Sequence, residues 1–214
     1  MKNRAMSYVE TLVARLALLL TLLALPSVAS AQTSTTVESV LGRFARIEGL
    51  TLDYHEEKHI SLLSTPLTTD GTLAYARPGR LARRAGSQVV VIDGASLHMS
   101  DGGHEQHIDL ASQPIVRSFV DSFRAFLAGD RAALEHSYTL SFAHTDVDWT
   151  ITLTPRVAPL NQFMTSIVFH GTGDALTSMT MTETSGDTTT TTFSRVDDHH
   201  RFSEAESARV FAAH

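Results

Sequence analysis

Cysteine is absent from all 214 residues. That excludes disulfides, a thiol nucleophile and cysteine-bound zinc. Long apolar runs are scarce. The longest, Leu16–Leu25, falls short of the ~20 residues an α-helix needs to cross a bilayer, and no later stretch is long enough to span. No glycine-rich phosphate loop occurs, so the chain cannot draw on a nucleotide for energy. Serines are common, but none stands in the G-x-S-x-G setting of a nucleophile elbow. Positive charge is also short: 17 Lys and Arg against 23 Asp and Glu leave a formal charge of −6. An acidic chain argues against nucleic acid and anionic membrane surfaces as partners.

What is present begins with a leader. Lys2, Arg4 and Arg15 give a basic start, the apolar run follows, Pro26 breaks it, and Ala29-Ser30-Ala31 forms a small-x-small site. This is the pattern of an export signal. We expect cleavage after Ala31, which leaves residues 32–214 as a single, still more acidic domain in the periplasm. No cysteine follows the site, so no lipid can be attached there.

The segment Pro66–Leu81 organises the rest. Asp70-Gly71 reads as a tight turn. Thr72–Ala76 alternates as a strand, and Pro78-Gly79 ends it. Leu73, Tyr75 and Arg77 share one face. A guanidinium there suits the mouth of an open apolar cavity better than a closed core, where it needs a partner.

Upstream, Val37–Glu48 carries apolar residues at helical spacing and Leu50–Ile60 alternates as a strand, with Leu50, Leu52, Tyr54, Glu56, Lys58 and Ile60 on one side. Downstream, Leu81–Gly86, Gln88–Ile92 and Ala95–Met99 read as strands, the last two joined at Asp93-Gly94. Asp101–His107 reads as a polar loop. Ser112-Gln113-Pro114 marks a helix start with Ser112 as cap. A wide apolar stripe follows, from Ile115 and Val116 through Phe119, Val120 and Phe123 to Leu127. Gly129-Asp130 ends that helix and caps a short one, Arg131–His136. Five strands complete the reading: Tyr138–Phe142, Asp148–Thr154, Phe163–His170, Leu176–Thr184 and Thr188–Val196. The threonine run Thr188–Thr192 is a strand on propensity. The tail Asp197–His214 is polar and weakly helical from Ser203, with no packed element expected. The fold class is mainly β (α+β): an antiparallel meander with an apolar helix laid against a curved sheet.

The histidines invite a metal reading that spacing does not support. His55 and His59 sit ~13 Å apart along a strand, at ~3.3 Å per residue. His104 and His107 lie near Asp101 and Glu105, and His199-His200 lies beside Asp197-Asp198, but nothing fixes three ligands around an open position. Glu56 and Glu57 point to opposite faces of their strand, so they cannot act as a carboxylate pair. We expect no catalytic residue, metal or cofactor.

Across residues 37–196 the order of motifs resembles the periplasmic outer-membrane lipoprotein carrier (LolA-like) family. The carrying segments are an N-terminal helix, the strand reaching Glu56–Lys58, "GTLAYARPGRL", "VVVIDGASLHM", a central helix, "WTITLTPR" and "LTSMTMTETSGDTTTTTFSRV". "HISLLSTPLTTDGTLAY" is most similar to a divergent branch associated with export of lipids or lipid-like products. The resemblance implies a curved, incomplete antiparallel β-barrel, a half-barrel whose concave side is covered by helices acting as a lid over lipid acyl chains. It also implies that Arg77 latches the lid by hydrogen bonding to its backbone. Where lipoprotein carriers usually show tryptophan just after this turn, the chain has Arg83, and it lacks their proline-containing closing segment.

On that fold, the candidate cavity residues are Leu73, Tyr75, Met99, Phe119, Phe123, Trp149, Ile151, Leu153, Met179 and Met181, with Met164 beside them; the same side chains would also serve as ordinary core. The expected function is a monomeric periplasmic carrier of lipid or acylated lipoprotein cargo, loaded by an inner-membrane transporter and unloaded to an outer-membrane acceptor. The alternative is an envelope sensor or scaffold of the same fold that binds lipid or peptide.

Overall fold

The computed structural model describes residues 35–212, so the leader and its cleavage site lie outside the described residues. The first element, α1 (Val37–Phe44), opens on a reciprocal cap: Ser39 N–H donates to Thr36 Oγ1 at 3.1 Å and Thr36 N–H to Ser39 Oγ at 3.0 Å. Val37, Val40, Leu41 and Phe44 are buried. The chain leaves the helix before Glu48 through i→i+3 turns, Arg46 N–H donating to the Arg43 carbonyl and Ile47 N–H to the Phe44 carbonyl at 3.0 Å each, while the Arg77 guanidinium takes the Ala45 and Ile47 carbonyls.

Eleven strands follow. The first six are β1 (Gly49–His59), β2 (Leu67–Ala76), β3 (Arg80–Ala85), β4 (Gln88–Asp93), β5 (Ser96–Asp101) and β6 (His104–Asp109). The other five are β7 (Tyr138–His144), β8 (Asp148–Pro155), β9 (Met164–Thr172), β10 (Ala175–Glu183) and β11 (Thr188–Asp197). They form one antiparallel sheet in the order β6-β5-β4-β3-β2-β1-β11-β10-β9-β8-β7. The edge strands β6 and β7 do not pair with each other, so the barrel is incomplete, as expected. Between them in sequence run α2 (Pro114–Leu127) and α3 (Arg131–Ser137).

Three local readings change. Asp70-Gly71 is not a turn: both residues lie inside β2, where Gly71 pairs with Tyr54. Asp101–His107 is largely strand; every residue of β6 except Ile108 is exposed, so a true edge strand shows no alternation to read. Gln113, without a side-chain cap bond, precedes Pro114 at the helix start, and Ser112 belongs to a short 3-10 turn.

The tail does pack. Ser203 caps α5 (Glu204–Val210); a four-residue turn of helix, α4 (Leu160–Phe163), precedes β9. Phe202, Val210 and Phe211 lie on Ala74, Ala82 and Val91, on the outer face of the sheet. Arg84 Nη2 donates to the Val210 and Ala212 carbonyls at 3.0 Å each. Small side chains on the outer face of β2 and β3 leave an apolar surface that needs a cover, and the tail supplies it.

The inner face carries Leu50 and Leu52 of β1, Tyr75 of β2, and the large side chains of β7–β9. Over β7–β9 it is filled. Phe126 of α2 stacks on Phe169 at 3.7 Å between ring centres and meets Phe44 of α1 at 4.8 Å. Tyr138 donates its hydroxyl to Ser122 Oγ at 2.7 Å beneath α2.

Candidate functional site

Over the other half of the sheet the inner face is not filled. A hollow of about 290 Å³ lies between β1–β5, β10–β11 and the first half of α2, at the small end of the ~300–1,000 Å³ typical of small-molecule sites. The helix contributes Val116, Phe119, Val120 and Phe123, the i, i+3, i+4, i+7 positions that one helical face brings together. The floor is apolar along Leu73, Leu81, Val90 and Ile92, with Met179 and Phe193 from the far strands. Leu73, Phe119, Phe123, Met179 and Phe193 are only partly buried; the wall is in contact with solvent rather than sealed.

One patch of this wall is polar. Arg83 Nη2 donates to Glu56 Oε1 at 3.2 Å, and the Arg83 guanidinium stacks 4.8 Å over the Tyr54 ring. Tyr54 and Thr191 also line the hollow, and burial pushes the Tyr54 phenol upward in pKa, against the pull of Arg83, so it remains an O–H donor. Further out, Lys58 donates to Glu183 at 2.9 Å, a hydrogen bond that raises the lysine's pKa.

Of the residues singled out from sequence, Leu73, Phe119, Phe123 and Met179 stand on the wall of this hollow. Tyr75 on β2 and Trp149, Ile151 and Leu153 on β8 are almost fully buried in the core, where Trp149 donates its indole N–H to the Gly173 carbonyl at 3.0 Å. Met164 is buried and Met181 packs against the same core. Met99 is 40% exposed, in a shallow groove with Gln88, His104 and Gln106. None of Tyr54, Glu56, Arg83 and Thr191 is among the cavity residues expected from sequence, although Arg83 stands out there as the departure from the family's tryptophan. The alternation of β1 already placed Tyr54 and Glu56 on the face of Leu52, so an acid in an apolar row was the available signal.

Two arginines fasten the helices. Arg77 Nε donates to the Ile47 carbonyl at 2.7 Å, and its Nη2 reaches the Phe44 and Ala45 carbonyls at the end of α1. Arg124, on α2, donates from Nε to the Gly79 carbonyl at 2.8 Å and from Nη2 to the Gly94 carbonyl at 2.9 Å. It thereby ties the long helix to two hairpin turns of the sheet. A second hollow, of about 380 Å³, lies at the end of α1. Arg43, Arg46, Asp174, Asp198 and His199 crowd its rim, which makes it a poor host for hydrocarbon. Among the described residues no group of three His, Asp or Glu could hold a metal ion.

The model of the family described as "Outer membrane lipoprotein carrier protein LolA-like" matches residues 29–211. The chain belongs to this family. LolA-like proteins are binding and carrier proteins, associated with lipid or lipoprotein ligands and with the periplasm or export. Among the described residues no helix is long and apolar enough to cross a membrane. No curated protein matches the sequence. Solved structures similar to it include a LolA superfamily protein from Nitrosomonas europaea (10% identity, 80% of this chain and 97% of that one, TM-score 0.46). A DUF1329 family protein from Desulfovibrio piger shares 10% identity over 82% of this chain and 95% of its own, at TM-score 0.42. LprF from Mycobacterium bovis shares 10% over 79% and 97%, at 0.37.

Proposed function

We propose that this LolA-like protein is a monomeric periplasmic carrier. It receives lipid, or the acyl chains of a lipoprotein, from an inner-membrane transporter and passes them to an outer-membrane acceptor. The observation that carries this reading is the apolar hollow under α2. Each methylene removed from water gains about 0.8 kcal/mol, so one long acyl chain gains roughly 10 kcal/mol by entering such a wall. No catalytic group or cofactor is needed for that. Partly buried phenylalanines and a flexible methionine form a surface that can repack around chains of different length. Release is the slow step of such a cycle. In this reading Arg77 is the latch: its hydrogen bonds to the end of α1 break when that helix swings from the sheet and re-form when it closes.

The test is direct. Protein stripped of lipid by denaturation and refolded is titrated with a fluorescent fatty-acid analogue. Saturable uptake at one site is the expected result, abolished by Phe119→Glu, which places a charge on the wall. Refolded parent protein that takes up no analogue, and no phospholipid in a parallel titration, overturns the carrier reading.

A further inference from the structure

The tail is packed against the back of the hollow. Strand alternation puts Leu73, Leu81, Val90 and Ile92 on the floor and their neighbours Ala74, Ala82 and Val91 on the outer face. Phe202, Val210 and Phe211 cover those outer residues. A single layer of strands therefore separates the hollow from the tail. At its near end the tail is held through one imidazole. His200 lies between the end of β11 and α5. Its Nδ1 stands 3.2 Å from Asp197 Oδ2 and its Nε2 2.9 Å from Glu206 Oε1. Phe202 packs edge-on against the ring, 4.4 Å between centres. The fit to β1 is close: a Cβ at Gly49 would lie 2.5 Å from the His200 carbonyl oxygen.

An imidazole can donate to two carboxylates at once only as the cation, with hydrogen on both nitrogens. The neutral ring donates from one nitrogen and turns the lone pair of the other towards an anion. From this arrangement we infer that His200 is a protonation-dependent clasp: it holds the tail to the back of the floor in acid and loosens it in alkali, so that the order of the floor follows pH. The groups that act on the ring are Asp197 from the end of β11 and Glu206 from α5. Asp198 and His199, next to it in sequence, stand 3.7 Å from each other and line the hollow at the end of α1 instead. Burial opposes the cation, but the hydrogen bonds and charges of Glu206 and Asp197 outweigh it and raise the pKa of His200. The sign follows. The clasp's contribution is complete below the ordinary imidazole value of 6.5 and fades as pH rises through the higher value of His200. The far end of the tail has fastenings of another kind. Arg84 donates to the Val210 and Ala212 carbonyls, and the Arg80 guanidinium lies 4.7 Å over the Phe211 ring. Arginine stays charged throughout this range, so the tail loosens from Phe202 and the start of α5 while its far end stays docked. The clasp stands on these contacts alone, whatever the hollow carries.

The lack of cysteine makes a local test possible. Ala205→Cys, at an exposed position of α5, gives the otherwise unchanged protein one attachment point for a nitroxide spin label. The label should tumble several-fold faster at about pH 8.5 than at about pH 5.5, the range that imidazole titration spans. His200→Gln, neutral at any pH, should abolish the difference. Glu206→Gln should move the midpoint to lower pH, because it removes one of the two anions that favour the cation. Global stability does not isolate the clasp, since a hydrogen bond to Asp70 also raises the pKa of His55. Amide exchange across residues 73–92, corrected for its intrinsic pH dependence, should quicken with the label in the parent and not in His200→Gln. A label held equally at both pH values, or a response that survives in His200→Gln, overturns the clasp. If His200→Gln does not fold, a midpoint unmoved by Glu206→Gln overturns it instead. Exchange that ignores the label overturns the coupling to the floor.

Discussion

Gly71 and Gly171 each lie directly across a strand pair from an aromatic ring, Tyr54 and Trp149 respectively. A Cβ at either position would run into that ring or its hydroxyl, and into a backbone carbonyl as well. Neither backbone is in the left-handed region, so both glycines are there for space. Gly71→Ala should therefore destabilise the protein by about 1–3 kcal/mol, the usual cost of overpacking, read as a lower urea midpoint at unchanged slope. Asp70-Gly71 also shows where sequence reading fails at this scale. The dipeptide is a strong turn signal when only neighbours along the chain are considered. What placed it mid-strand was a ring on another strand, which no local pattern encodes. Arg77 was legible because a guanidinium on the face of Leu73 and Tyr75 demands acceptors; that these are backbone groups of a helix came from the family resemblance, and that they are the carbonyls ending α1 came only from the structure. Trp149, Ile151 and Leu153 look like Leu73 in sequence. Whether an inward residue faces a hollow or a helix depends on where α2 lies.

At the scale of elements, α2 has two halves. Its stripe of apolar residues was plain in the sequence, but the division of labour along it was not. Phe126 and Leu127 are locked into the core, whereas Phe119 and Phe123 roof the hollow. The fastenings differ too. Arg77 holds α1, and Arg124 holds α2 to the turns at Gly79 and Gly94. We expect Arg77→Leu to keep bound lipid but to slow its transfer to acceptor vesicles or an acceptor protein. Arg124→Leu should instead speed hydrogen exchange along 114–127 and quicken lipid entry, measured by stopped-flow fluorescence. Equal exchange in parent and Arg124→Leu would remove that arginine from the account. The pairing of β6 and the docking of the tail, whose helix from Ser203 was legible, are not written in the sequence for one reason: their order comes from pairing and docking, not from a periodic apolar face.

For the whole molecule, the open sheet was the most legible feature, because alternation and turn residues recur along nearly the entire chain. A partly empty interior has a thermodynamic consequence. Any ligand that occupies the folded form alone stabilises it by mass action. A lipid or ester present at a hundred times its dissociation constant should add about 2.7 kcal/mol to unfolding, visible as a rise in melting temperature. Phe119→Glu should show none of that rise while melting as a folded protein without ligand.

The pairing of β1 with β11 at the centre of the sheet has a further consequence for the order of events in synthesis. Tyr54 and Glu56 come early in the chain, yet the wall they share with Thr191 and Phe193 exists only once those late residues have emerged and zipped alongside. Such distant pairings form late in folding. A chain still being synthesised therefore has no apolar hollow. The wall is completed in one step, when β11 pairs with β1.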